Sequence, residues 1–262
     1  MTDGPLKSWL ERDKQVLRLQ LAQPKANIID AAMIDALTTA LAKHVANSRL
    51  MAVVLDAEGP NFSFGASVEE HLPGQCAGMV RKLHALITQM IVYPVPIVAA
   101  VHGQCLGGGL EVACAANLII AAPDTRLGQP EISLAVFAPA ASCLLPERIG
   151  QSQAEMLLLS GQSVDADKAR QIGLVDEVSD EPAQAALAWI DANIIGKSAS
   201  SLRIAVTAAR HDYIARVKEK LQAVEAMYLD ELMKTNDAVE GLNAFLEKRK
   251  PVWDNTVPGA DQ

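Results

Sequence analysis

Aromatic residues are scarce in this chain. Four Phe, three Tyr and three Trp make up 4% of 262 residues, while half of all residues are apolar and 21% are charged. Such a chain must build its core from aliphatic side chains, and its length lets it bury roughly three quarters of its unfolded surface. An excess of positive charge is also missing. Lys and Arg number 23 against 31 Asp and Glu, a net charge of −8, which excludes a broad nucleic-acid footprint. No apolar run approaches the roughly 20 residues of a membrane span. The longest, Ile91 to Val101, is broken by Tyr93, Pro94 and Pro96. Met1 to Lys14 is polar and holds no signal-peptide apolar region.

Cysteine and histidine patterns are equally thin. Cys76, Cys105, Cys114 and Cys143 contain no C-x-x-C pair, and Cys105 and Cys114 sit in apolar runs that suit small core thiols. His44, His71, His84, His102 and His211 make no H-E-x-x-H or H-x-x-x-H pair, so each reads most simply as a structural side chain. No metal site is expected, and the reducing cytoplasm is the default compartment.

What is present is an alternation of strand and helix signals. Val16 to Leu21 alternates at period two, as in a strand with one wet face. Met33, Ile34, Leu37, Leu41 and Val45 recur at helical spacing behind Asp30, a plausible N-cap. Met51 to Leu55, Ile97 to Val101 and Leu118 to Ala122 are short apolar runs of buried-strand type, with helices predicted over Val80–Met90 and Leu110–Ala116. This order predicts an α/β core over residues 1–197. Beyond about Ser198 only helical patterns remain (Leu202–Val217, Lys218–Lys234, Ala238–Lys248), giving a helical region over 198–262 that frays from Asn255.

Three segments can carry chemistry. Gly103-Gln104-Cys105-Leu106-Gly107-Gly108-Gly109-Leu110-Glu111 lies between a buried strand and an apolar helix. Its glycines allow close backbone approach, and the helix they open aims free N–H groups at whatever sits there. An anion or a developing oxyanion suits that place. The loop lacks the G-K-[ST] ending of a phosphate loop and is not G-x-G-x-x-G, so nucleotide sites are disfavoured. Glu111 follows among apolar neighbours, where burial would raise its pKa toward the range useful for proton transfer. Gly128-Gln129-Pro130-Glu131-Ile132 supplies a second acid, able to share a proton with the first if the two meet. Phe62-Ser63-Phe64-Gly65-Ala66-Ser67-Val68-Glu69-Glu70 adds a further loop amide at Ala66. An ordinary strand-to-helix loop with Ser67 and Glu70 as a capping box explains the same residues. Ser67 is not in a G-x-S-x-G elbow.

The order of these segments resembles the crotonase (enoyl-CoA hydratase/isomerase) superfamily. The match runs from Pro24-Lys25-Ala26-Asn27 through Phe64-Gly65-Ala66-Ser67, Pro96 to Glu111 and Gly128 to Ile132, to Phe245-Leu246-Glu247-Lys248-Arg249-Lys250-Pro251, about residues 10–254. The resemblance implies an α/β fold, a spiral of ββα turns followed by a helical trimerisation region, assembled as homotrimers or as homohexamers of stacked trimers. It implies an acyl-CoA substrate and no further cofactor. The thioester oxygen would meet the amides of Ala66 and Gly108, the oxyanion hole, and Glu111 and Glu131 would be catalytic, with Glu131 favoured as the base on water and the reverse division left open by the sequence. Substrate contacts would fall on Lys25 and Ala26, on Ser67, Val68 and Glu69, and on Gly107, Phe245 and Lys248. Coenzyme A carries phosphates although the chain is acidic, so Lys25 and Lys248-Arg249-Lys250 are the candidate cations.

Two departures bear on the acyl group. Ser67 stands where G-A-D is usual, and Phe137 to Leu144 replaces a glycine-rich stretch. The run Phe62 to Pro73 resembles the cyclohexa-1,5-dienecarbonyl-CoA hydratases, which implies water addition to a cyclic dienoyl-CoA in anaerobic aromatic degradation, giving 6-hydroxycyclohex-1-ene-1-carbonyl-CoA. A straight-chain enoyl-CoA hydratase, a double-bond isomerase and a non-catalytic acyl-CoA-binding protein are the alternatives; retention of both glutamates speaks against the isomerase.

Overall fold

The computed structural model describes residues 4–256, so part of the end expected to fray, 257–262, lies outside the described residues. The first hairpin pairs β1 (Leu6–Glu11) antiparallel with β2 (Val16–Leu21) through Arg12, Asp13 and Lys14, all at positive φ. No strand is predicted at β1, because its side chains are mostly exposed and show no apolar alternation. Backbone pairing to β2 is what makes it a strand. The chain continues through α1 (Ala31–His44), β3 (Ala52–Ala57), α2 (Cys76–Ile91), β4 (Ile97–Val101), β5 (Gln104–Leu106), α3 (Gly108–Ala115) and β6 (Leu118–Ala121). Then come β7 (Arg126–Gly128), α4 (Pro139–Ile149), α5 (Gln151–Ser160), β8 (Ser163–Asp165), α6 (Ala166–Gln171) and β9 (Glu177–Val178). Asp30 caps α1 as predicted, accepting from the Met33 amide at 2.8 Å.

Six strands form one sheet in the order β1-β2-β3-β4-β6-β9, with every pair after the first parallel. A second sheet holds β5, β7 and β8. β4 runs on into β5 and β6 into β7, so these two turns of the spiral each lay one strand in each sheet before a helix follows. Alternation sorts the side chains of the larger sheet. Leu17, Leu19, Val53, Leu55, Ile97 and Ala99 face a core shared with α1 to α4. Val16, Ala52, Val54, Val98 and Ala100 face Leu187 and Ile190 of α7 (Pro182–Asn193). The wet face expected for β2 is therefore partly covered, and Arg18 on it pairs with the buried Asp56.

The C-terminal helices are α8 (Ala199–Ala209), α9 (His211–Ala226) and α10 (Asn236–Leu246). The single helix predicted over Leu202–Val217 is broken at Arg210. The guanidinium there donates to the carbonyls of Ile91, Ala115 and Ala116, satisfying orphan acceptors at the ends of α2 and α3. α9 likewise gives way to a π-helical turn over Met227–Glu231 within the helix predicted for Lys218–Lys234. Among the described residues no helix is long and apolar enough to cross a membrane.

Candidate active site

A cavity of about 390 Å³ lies between the glycine loops and the helices α2, α4 and α10. Phe64 and Phe245, 47% and 55% exposed, flank its mouth; buried Met79, Val80 and Leu83 of α2 form an inner wall.

One end of this cavity is made of backbone. The loop after β3 runs beside β5, with the Leu106 amide donating to the Ser63 carbonyl at 3.0 Å and the Ile29 amide to the Gly65 carbonyl at 2.9 Å. Gly65 turns at φ +110°, which brings Ala66 against the start of α3. A Cβ at Gly108 would lie 3.1 Å from the Ala66 nitrogen, so the two backbones approach as closely as glycine permits. Gly108 is the first residue of α3, so the helix itself leaves its N–H unpaired. Among the described residues neither the Ala66 nor the Gly108 amide has a backbone acceptor, and both residues line the cavity. Two donors and a helix N-terminus form a receptor for an oxygen gaining negative charge.

Two carboxyls line the same cavity. Glu111, in the first turn of α3, is 3% exposed; the Ala141 amide in the first turn of α4 donates to its Oε1 at 2.8 Å. Glu131 sits in a 3-10 turn over Pro130–Leu134 rather than in an open loop. The Gln129 amide, oriented to satisfy its own atoms, donates to both Glu131 oxygens at 3.0 Å. Gly107, at φ +50°, admits that carboxylate: a Cβ there would lie 2.6 Å from Glu131 Oε1. Burial pushes both acids well above the ordinary carboxylate range. The Ala141 and Ala140 amides oppose the rise at Glu111, and the charge of Glu111 adds to it at Glu131. Two acids perturbed in this way can exchange protons near neutral pH.

The residues nominated from sequence divide by place. Val68, Gly107 and Phe245 line the cavity. Ala26 stands behind it, its carbonyl accepting from the Phe64 amide at 2.9 Å. Ser67 Oγ accepts from the Glu70 amide at 3.4 Å, but the Glu70 carboxylate accepts from the Ala31 amide of α1 at 3.0 Å, so the capping box is not closed. Lys25, Glu69 and Lys248 are exposed and do not line the cavity of the single chain. Arg249 is held by Glu240 and Glu247.

Sequence reasoning passed over several residues. His71 and His84 both line the cavity, rather than serving structure alone. His71 Nδ1 meets the Ser67 carbonyl at 2.7 Å, and its ring lies edge-on to Tyr228, which also meets Phe137 edge-on. His84 was detectable: it falls on the apolar face of α2 marked by Cys76, Met79, Val80, Leu83 and Ile87. Tyr228 and the Gln129 amide had no local signal.

An enoyl-CoA hydratase/isomerase family model matches residues 11–256. The chain belongs to that family. Its sequence is 61% identical over 252 residues to a cyclohexa-1,5-dienecarbonyl-CoA hydratase of Thauera aromatica, covering 96% of this chain and 98% of that one. It is 32% identical to a probable enoyl-CoA hydratase of Bacillus subtilis, covering 91% and 95%. The solved enoyl-CoA hydratase/isomerase of Pseudoalteromonas atlantica superposes with a TM-score of 0.83 at 25% identity, covering 95% of this chain and 99% of the other. In this family member the departing stretch Phe137–Leu144 begins α4, and its alanine amides face Glu111. The start of α4 thus presents the Ala140 and Ala141 amides to Glu111, which favours the charged form of that acid.

Proposed function

We propose that the chain is a hydro-lyase that adds water to cyclohexa-1,5-diene-1-carbonyl-CoA, giving 6-hydroxycyclohex-1-ene-1-carbonyl-CoA in aromatic degradation. The observation that carries this is the meeting of Glu111 and Glu131 in one cavity with the amides of Ala66 and Gly108. The Thauera aromatica relative supports the ring substrate.

Charge dictates the steps. The thioester oxygen lies against the two amides. Glu131, held by Gln129, takes a proton from water while Glu111 orients that water and shares the pair's remaining proton. Hydroxyl adds to the ring carbon β to the thioester, and the displaced electron pair spreads onto the thioester oxygen. Losing one donor to such an oxygen typically costs about 100- to 1000-fold in rate. Because the ring holds a second double bond, the resulting dienolate takes its proton at the carbon across the ring from the new hydroxyl. One double bond remains, conjugated with the restored thioester.

The substrate itself brings coenzyme A, and the steps as drawn use protein groups alone. Lys25 and Lys248, outside the cavity of a single chain, meet the coenzyme A phosphates in a homotrimer or homohexamer of the cytoplasm. Comparing kcat/KM for the cyclic dienoyl-CoA and for crotonyl-CoA tests the reading. The ring substrate is expected to win by more than tenfold; preference for crotonyl-CoA makes the chain a straight-chain hydratase instead.

A further inference from the structure

Ordinary hydration of an enoyl thioester needs its carbon-bound proton beside the thioester, close to the water that is split. Hydration of the ring diene needs that proton on the opposite side of the ring from the new hydroxyl. This demand rests on the ring-diene reading above. Among the described residues His84 is the one that lines both the acyl cavity and a second, outer groove of about 530 Å³ between α2 and α9. It is 5% exposed, and its Nδ1 lies 2.6 Å from Glu225 Oε2. A carboxylate accepts, so Nδ1 carries hydrogen toward Glu225 and Nε2 is left for other work. Among the described residues Nε2 has no hydrogen-bond partner, yet it is not among the fully enclosed orphan atoms. His84 lines both spaces and its Nδ1 is held by Glu225 of the groove, which leaves Nε2 as the nitrogen available to the acyl cavity.

We propose that His84 is the acid that protonates the far ring carbon, with Glu225 holding its Nδ1–H and stabilising its protonated form. In this step the Nε2–H bond breaks and its electron pair stays on nitrogen. A C–H bond forms from the dienolate electron pair, the double bond shifts into conjugation and the thioester C=O is restored. Neutral His84 keeps its Nδ1 hydrogen on Glu225, which is partly exposed and lies 3.7 Å from Arg81, and Nε2 regains a proton from water that enters the acyl cavity as product leaves. The proton taken from water leaves Glu131 separately, so the balance is one water added. Burial lowers the affinity of His84 for a proton, and Glu225 opposes that loss. The other charged or titratable groups around it are Arg81 and Lys218 in the groove, and Glu111, Glu131 and His71 across the cavity. Negative charge on the dienolate, arising in the same cavity, favours the protonated imidazole when it is needed.

The test uses the full-length enzyme and the cyclic dienoyl-CoA. His84→Gln is expected to lower kcat by about 100-fold or more, the range for a positioned acid, with KM within about threefold of wild type. Glu225→Gln is expected to cost about tenfold and to move the alkaline limb of the kcat profile to lower pH, because the imidazole loses its stabilising carboxylate. In D₂O the wild-type product carries deuterium on the ring carbon opposite the hydroxyl, and His84→Gln forms that product at the reduced rate. Retained kcat in His84→Gln overturns the proposal. Should His84→Gln not fold, an unmoved pH limb in Glu225→Gln overturns it equally. Wild-type enzyme that hydrates crotonyl-CoA but not the ring diene removes the functional reading itself, a distinct result.

Discussion

The two ends of the cavity are built on different principles. Around Gly65, Ala66, Gly107 and Gly108 the working parts are backbone amides, held by strand pairing and a helix start, and side chains matter chiefly by being absent. Around Val80, Leu83 and His84 of α2 and Phe137 just before α4 the working parts are side chains brought together by the packing of distant elements. The amide end recognises what any acyl thioester presents. In the proposed reaction the helical end meets the acyl group, with His84 as its proton source. The proposal thus puts the thioester oxygen at one end and the acyl ring at the other, with both glutamates lining the same cavity.

That division can be attacked by substitution. Glu131→Gln and Glu111→Gln are each expected to lower kcat by about 100- to 10,000-fold, since a positioned acid or base is lost, with acyl-CoA affinity nearly unchanged by calorimetry. A large fall in affinity instead would make the carboxyls part of the binding surface. Gly107→Ala should cost about 100-fold, for every acyl-CoA tested alike, because its Cβ displaces Glu131 and strains a positive φ. Acyl-dependent losses would erase the distinction between the ends.

The smallest effect concerns stability. Glu111 and Glu131 have their folded pKa values raised by burial. The unfolded chain therefore releases their protons first as pH rises, and stability falls from about pH 4.5 upward until the folded pKa is passed. Glu111→Gln with Glu131→Gln should abolish that decline and gain on the order of 2 kcal/mol at pH 8 relative to pH 5. Chemical denaturation at the two pH values measures it. A pH-independent difference would show that the carboxyls are solvated rather than desolvated.

Legibility followed the same division. The glycine runs, the acid after Pro130 and the strands Val16–Leu21 and Ile97–Val101 could all be read locally, because each rests on neighbours within a few residues. β1 could not, since its pairing with β2 rather than its own pattern makes it a strand. Nor could the break at Arg210, which exists because a guanidinium finds carbonyls at Ile91, Ala115 and Ala116, far back in the chain. Phe137–Leu144 read only as a loss of glycine, yet it places an amide on Glu111.

Sequence alone determined that an apolar helix would begin at a glycine loop with an acid in its first turn, because glycine conformations and helix ends are local physics. Tertiary structure decided that Glu131 would meet Glu111, and that His84 would stand between the cavity and the groove with Glu225 behind it. Those meetings join residues 20 and 141 positions apart. Only the packing of helices against the sheet, driven by burial of aliphatic surface, can bring them together.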